Sequence, residues 1–469
     1  SAALAASAAV AWFLADGGTL ALAISAAISA GLGWLGWRRT ELKRDLSVRE
    51  GYAVVSLAWL SVGVMGSLPY LFSGVLASPA AAFFESVSGF TTTGATVFGD
   101  IESLPHGILF WRSLTQWLGG MGIIVLGVAV LPFLGVGGMQ LFRAEVPGLA
   151  PERLAPRITQ TAKLLWLVYA GLTALEAALL MAGGVSPFEA VNHAFTTMST
   201  GGFSPQNESI AAYPSPYVQY VIVGFMYLAA INFTLHFRAV RGRPRYARDP
   251  EWRFFTLLLV SATGVLLGLA LLRGDYSGLG FERAFRDSLF QAVSITTTTG
   301  YVTFDYEQWA MASQILLLLL MFVGGMAGST GGGMKAVRVY LLLRHALAEL
   351  KRSLHPRAVV PTRLGRRPVP EATLSTVLAF ALFFLGLFAA GAFVLALLGH
   401  DLATAIGASA ASIGNIGPGL GAVGAVDNYG WMAPTSHLVL VFLMLAGRLE
   451  IFTVLLLFHP DLWRRYRRS

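Results

Sequence analysis

Four short stretches of this 469-residue chain join threonine or asparagine to glycine: TTTGA at 91–95, STGGF at 199–203, TTTGY at 297–301 and NIGPG at 415–419. Those residue types suit the handling of a dehydrated monovalent cation. Such an ion needs replacements for its water oxygens, and backbone carbonyls supply them without full charge, so the ion binds and still leaves. Glycine turns successive carbonyls to a common side with no Cβ in the way. Threonine adds a hydroxyl as a further ligand or as a tie to a neighbouring strand. One TTTG alone reads more simply as helix packing, where small residues let helices approach closely. Four in matching positions reverse that reading.

The elements that must position these stretches follow from the apolar pattern. The chain is 55% hydrophobic and 12% charged, where soluble domains carry about 25% charged residues. Runs such as 254–272, 373–398 and 438–458 are apolar almost throughout and long enough to cross a bilayer, which takes about 20 residues. Each Thr/Gly stretch instead closes a shorter segment: PAAAFFESVSGF from Pro79, PFEAVNHAFTTM from Pro187, FERAFRDSLFQAVSI from Phe281 and LATAIGASAASI from Leu402. At 1.5 Å per residue, about 12–15 residues reach only half a bilayer. Irregular backbone at that depth must be buried in protein or line a wet cavity, and four copies round one axis would supply that cavity. The glycines closing the segments, Gly94, Gly201, Gly300 and Gly417, recur at roughly regular intervals, the mark of an internal repeat. The expected fold is an all-α polytopic membrane protein with four M1–pore helix–M2 repeats around a pseudo-four-fold pore. An N-terminal helix pair precedes them, for about 10 transmembrane helices. The pair occupies 1–47, and the repeats 48–142, 143–240, 241–350 and 351–469. Every repeat begins and ends on the same side, so the symmetry axis runs along the membrane normal. Inverted transporter repeats would need an odd number of spans per unit.

Charge sets the orientation. Lys and Arg gather at 38–49, 143–163, 238–253, 335–367 and 464–468, leaving only Arg112, Arg273, Arg283, Arg286 and Arg448 elsewhere. The positive-inside rule places those five segments, including the C-terminus, in the cytoplasm. The net charge of +8 therefore marks topology, and no nucleic-acid partner is needed to explain it. There is no cysteine, which excludes disulfides and thiolate metal sites. No basic stretch precedes the first apolar run, which argues against a cleavable signal peptide; the start at Ser1 reads as trimming or truncation of the first helix.

The four Thr/Gly stretches resemble the four degenerate filter sequences of the Trk/Ktr/HKT potassium transporters. RSLTQWLGGMGIIVL (112–126), GGMAGSTGGGMKAVR (324–338) and AGRLEIFTVLLL (446–457) are similar to the TrkH branch in particular. The resemblance covers essentially the whole chain. It implies a potassium-translocating subunit of the bacterial inner membrane, forming a homodimer with one pore per protomer. It also implies a cytoplasmic nucleotide-binding regulatory ring of the TrkA type, potassium as the transported ion and no organic cofactor. Carried over by position, the filter residues are Thr93, Gly94, Thr200, Gly201, Thr299, Gly300, Asn415, Ile416 and Gly417. In repeat four Gly414 competes with Gly417 for the register, and N-I-G-P-G favours Gly417. A serine at the first filter glycine accompanies sodium transport in plant members, so Gly94 implies potassium. The residues leave passive flow and proton- or sodium-coupled symport both open.

Six glycines fall between 324 and 333, each costing roughly 1 kcal/mol against alanine in a helix interior, so a broken span is expected there. The resemblance makes 324–334 an intramembrane gate loop, with Gly324, Gly325, Gly328, Ser329, Thr330, Gly331, Gly332 and Gly333 in it and Lys335 at its exit. Arg448 falls mid-span, where a charge costs about 2.5–3.5 kcal/mol and must face protein or water. It reads either as a structural partner of a carboxylate or, by the resemblance, as a positive charge contacting the gate. Asp100, Glu102, Glu208, Asp305, Glu307 and Asp427 follow the filters and together suggest an acidic mouth, while Glu85, Glu189 and Glu282 lie in the half-helices as caps or ties. The histidines have no metal-ligand spacing and read as structural or surface groups. An ion-coupled solute transporter is the competing reading. An intramembrane enzyme built on GASA (407–410), with His437 or His400 as base, needs a hydrogen bond to Ser409.

Overall fold

A computed structural model describes residues 1–40, 48–129, 155–273 and 280–463. The basic runs at 41–47, 143–154 and 464–468 lie outside the described residues. Two helices come first, α1 (Ala2–Phe13) and α2 (Thr19–Arg39). Four units of a span, a half-helix and a returning span follow. The first unit is α3 (Val48–Phe72), α4 (Pro79–Phe90) and α5 (His106–Ala129). The second is α6 (Ala155–Ala182), α7 (Pro187–Met198), α8 (Pro216–Ala229) and α9 (Phe233–Val240). The third is α10 (Pro250–Arg273), α11 (Phe281–Thr296), α12 (Met311–Leu320) and α13 (Ala336–Leu354). The fourth is α14 (Glu371–Leu397), α15 (Leu402–Gly414), α16 (Pro434–Arg448) and α17 (Phe452–Leu455). A small hairpin, β1 (Arg363–Leu364) with β2 (Arg367–Pro368), joins the last two units.

Capping side chains start three of the four half-helices. Ser78 precedes Pro79 and accepts from Ala81 N at 3.4 Å, and Ser186 precedes Pro187 and accepts from Glu189 N at 3.3 Å. Asp401 accepts from Thr404 N at 3.1 Å. These side chains satisfy amides that have no partner inside the helix. In each unit the half-helix packs on the preceding span, α4 on α3, α7 on α6, α11 on α10 and α15 on α14. The lipid-facing sides of those spans carry the exposed apolar residues, such as Leu257, Val260, Leu382 and Phe393. The N-terminal pair leans on the first unit, where Asp16 accepts from the Gly107 amide at 2.6 Å.

Among the described residues five helices have the length and hydropathy to cross a membrane, or up to seven if each bent pair is one span. The returning spans differ from the plain second spans the sequence implies. Among the described residues only the first return, α5, runs unbroken; α8 and α9 meet at 103°, and 434–448 meets 452–458 at 118°. The third return stops at Leu320 and resumes at Ala336, as the glycine run predicts.

Candidate ion filter and gate

Each half-helix ends in the same backbone manoeuvre. Thr92, Thr200, Thr298 and Asn415 take φ between 52° and 62°, and two residues later Gly94, Gly202, Gly300 and Gly417 take φ between 77° and 103°. The residues between them repeat one hydrogen bond into the half-helix. Thr93 N donates to Ser88 O at 2.9 Å, Gly201 N to Thr196 O at 2.8 Å, Thr299 N to Ser294 O at 2.9 Å and Ile416 N to Ala411 O at 2.9 Å. Threonine and asparagine tolerate the left-handed position because their short polar side chains bond locally.

This places the second filter one residue later than the sequence reading. Gly202 occupies the position of Gly94, Gly300 and Gly417; Gly201 matches Thr93, Thr299 and Ile416; and Thr200 matches Thr92. STGGF holds two glycines, and the second takes the left-handed turn. In the fourth repeat Gly417 takes it, whereas Gly414 is the last helical residue of α15.

The four segments close on one another. A Cβ added at Gly94 would strike the carbonyl oxygen of Gly201, one at Gly202 that of Thr299, one at Gly300 that of Ile416, and one at Gly417 would lie 2.7 Å from that of Thr93. Repeat one therefore abuts two, two abuts three, three abuts four and four abuts one. Hydroxyl pairs stiffen two corners, Thr91 with Thr93 and Thr297 with Thr299, each at 2.8 Å. Asn415 Nδ2 donates to Thr93 Oγ1 at 3.0 Å across the fourth corner.

On the outer side lies a cavity of about 140 Å³ lined by all four glycines of the ring. Of the six carboxylates expected at the mouth, only Asp427 lines it. The others serve the loops. Asp100 accepts from Asn207 Nδ2 at 3.2 Å, a bond that holds its carboxyl below the usual range. Glu102 accepts from Asn207 N at 3.1 Å, and Asp305 from Glu307 N at 3.1 Å. Glu307 accepts from Gly421 N at 2.7 Å, and burial nevertheless raises its carboxyl above the usual value. Glu208 precedes a short turn without capping it through its side chain, and does not line the cavity. Turn amides that need acceptors take most of this charge.

Arg112 at the cavity wall escaped the sequence reading. It is 1% exposed and pairs with the fully buried Glu85 at 2.8 Å. Glu85 also accepts from Val97 N at 2.9 Å, and the guanidinium lies 4.2 Å from the centre of the Phe203 ring. The pair thus bolts the outgoing strands of filters one and two to α4. A lone arginine inside an apolar run was the available signal. Glu189 holds the second outgoing loop through Gln206 Nε2 at 2.6 Å, whereas Glu282 pairs with Arg286 and stays half-exposed, away from the filter. His193 is buried behind filter two, with Nε2 3.2 Å from Ser204 Oγ. His437 is buried too, and its Nε2 donates to the carbonyl of Tyr429 at 2.8 Å, whose hydroxyl donates to Gly417 O at 2.8 Å. Ser409 gives its hydroxyl to Phe388 O at 2.7 Å, and His400 lies 2.8 Å from Ser436 instead. No histidine–serine pair forms at GASA.

Directly beneath the ring runs the break between α12 and α13. Its two limbs meet through Gly324 N, which donates to Met334 O at 2.9 Å. Thr330 Oγ1 donates to Met198 O at 3.1 Å, and Gly332 N to Thr298 Oγ1 at 2.6 Å, so the loop touches the ends of half-helices two and three. A Cβ on Gly332 would lie 2.6 Å from Gly414 O, at the end of the fourth. Arg448, 2% exposed, donates to Thr330 O at 2.7 Å and to Gly119 O at 3.3 Å. Its partners are backbone carbonyls and not a carboxylate, because neighbouring Glu450 pairs with Arg338 of α13. Lys335 immediately precedes α13, and its Nζ donates to Gly331 O inside the loop. Gly325, Ser329 and Gly333 complete the buried part of the turn, and Gly328 stands exposed at its bend.

Four half-helices ending in a closed ring of glycine and carbonyl contacts, above a broken span, define a four-repeat ion-pore membrane protein. The chain belongs to the TrkH family of cation transport proteins, whose sequence profile matches residues 19–465. It is 43% identical over 439 residues to the Trk system potassium uptake protein TrkH of Escherichia coli (strain K12), covering 92% of this chain and 89% of that one. It is 42% identical over 461 residues to the protein of the same name from Halomonas elongata, covering 96% and 94%. The crystal structure of the potassium transporter TrkH from Vibrio parahaemolyticus superposes with a TM-score of 0.90 at 39% identity, over 98% of this chain and 96% of that one.

Proposed function

We propose that this chain is the potassium-translocating pore subunit of a bacterial potassium uptake system, set in the inner membrane with its C-terminus in the cytoplasm. The observation that carries the reading is the closed ring, which supports Thr93, Gly201, Thr299 and Ile416 as the residues whose carbonyls replace the ion's water. The names of its relatives supply the ion. Potassium enters the outer cavity past Asp427, sheds water at the ring between Gly94, Gly202, Gly300 and Gly417, and meets the loop at 324–334.

That loop is the gate. Arg448 and Thr298 hold Thr330 and Gly332 against the inner side of the ring, so the ion advances only when the loop moves. Arg448 adds a positive charge below the filter, which opposes a waiting cation. Movement reaches the loop through α13, which continues into the basic segment 335–367. A cytoplasmic nucleotide-binding ring of the TrkA type docks there in this reading, and two copies of the chain assemble as a homodimer.

Cation flux into liposomes tests it, with potassium and sodium gradients compared for wild type and Gly94→Ser, with and without the regulatory partner. Potassium-selective flux that loses selectivity in the variant supports the reading. No flux in either, even with the partner, returns the chain to the ion-coupled solute transporters.

A further inference from the structure

The four corners of the ring are not built alike. Thr93, Thr299 and Ile416 each bring a side chain to the position before the turning glycine; Gly201 brings none. The space is filled from another repeat. Gln116 of α5 is fully buried, and a Cβ added at Gly201 would collide with its carboxamide. Its Nε2 donates to Gly201 O at 2.7 Å and its Oε1 accepts from Phe203 N at 3.1 Å. The opposite orientation of the amide would set oxygen against oxygen and N–H against N–H, so this pair of bonds fixes it.

We propose that Gln116 is a positioning residue that sets ion selectivity, standing in for the side chain that filter two lacks. The proposal rests on the reading of the chain as a potassium-selective pore. One carboxamide spans 201 to 203 and locks the peptide planes on both sides of Gly202, the turning residue. It also occupies one of the two lone pairs of the Gly201 carbonyl, so this corner offers the ion a weaker oxygen than its neighbours do. Because Gly201 itself does not take a left-handed φ, its backbone accepts a threonine as soon as the space is freed. The stand-in is therefore exchangeable in principle for a threonine of the kind used in repeats one and three.

Potassium and sodium fluxes into liposomes are compared for wild type, Gln116→Ala, Gln116→Met, Gly201→Thr and the double variant Gln116→Ala/Gly201→Thr. Met keeps the volume and removes both hydrogen bonds, so it decides the matter if the alanine variant does not fold. Loss of the two bonds is expected to lower the potassium-to-sodium ratio at least about fivefold in Gln116→Ala and Gln116→Met. Gly201→Thr alone is expected to lose flux through the collision, and the double variant to return to within about twofold of wild type. A ratio unchanged in Gln116→Met, or a double variant no better than its Gln116→Ala parent, overturns the proposal. A wild type without potassium selectivity overturns instead the functional reading on which it rests.

Discussion

Replacing Gly202 with alanine is the sharpest test of the ring, because it separates the observed register from the one the sequence implies. Gly202 has φ +77°. A residue with a Cβ in that conformation costs about 1–2 kcal/mol, a five- to thirty-fold shift of population away from the native turn. The added methyl also strikes the Thr299 carbonyl oxygen, which cannot retreat without leaving the ring. Gly201→Ala carries no such backbone strain and meets only the end of the Gln116 side chain, which yields at smaller cost than a backbone carbonyl of the ring. Liposomes with equal amounts of reconstituted protein would be assayed for potassium and sodium uptake. Gly202→Ala, like Gly94→Ala and Gly300→Ala, is expected to lose at least about tenfold in potassium flux or selectivity, with Gly201→Ala expected to retain more than any of them. If Gly201→Ala abolishes selectivity and Gly202→Ala leaves it intact, the second filter turns at Thr200–Gly201 and the ring of contacts has been misread.

Two further substitutions probe the parts around the ring. Arg448→Ala removes the charged hydrogen bond to Thr330, worth about 1.5–3 kcal/mol, and should raise partner-free potassium flux about tenfold in the same liposomes; unchanged flux with poor yield would make Arg448 a structural residue only. Arg112→Met strands the buried Glu85 carboxylate at a cost of about 3–5 kcal/mol, read as early thermal unfolding in detergent. Adding Glu85→Leu should recover most of that loss, and no recovery would mean that the pair is not the unit.

The half-helices were legible because their signals are local: a length of twelve to sixteen residues and a polar, glycine-closed end. The glycine run at 324–333 was legible for the same reason. Register was not, since TTTG and STGG offer several hydroxyl-to-glycine steps and only the backbone angles choose between them. Arg112 with Glu85, 27 residues apart, and Gln116 with Gly201, 85 apart, depend on which span stands behind which filter. The acidic mouth was overread, because composition counts carboxylates and takes no account of the amides waiting for them.

The breaks in the second and fourth returns were the least legible, having no proline or glycine at the bend: Ala230, Ile231 and Asn232 in one, Leu449, Glu450 and Ile451 in the other. Their cause lies in the third repeat. Opening the helix after Ala229 frees two carbonyls, and the gate loop takes both: Met326 N donates to Ala230 O at 2.9 Å, and Thr330 Oγ1 to Ala229 O at 3.0 Å. Asn232 Oδ1 then starts α9 by accepting from Thr234 N at 2.8 Å. In the fourth repeat Glu450 and Ile451 both take left-handed backbone, which for an isoleucine persists only where its surroundings enforce it. Here they put Arg448 under Thr330 and Glu450 against Arg338. The α10 carboxylate of Glu251 ties the remaining edge, accepting from Ala327 N at 2.8 Å and Val337 N at 3.0 Å. A loop of six glycines has little structure of its own, so the neighbours supply it. Three broken returns are one device, and the loop's position under the ring is set by the bends on either side of it.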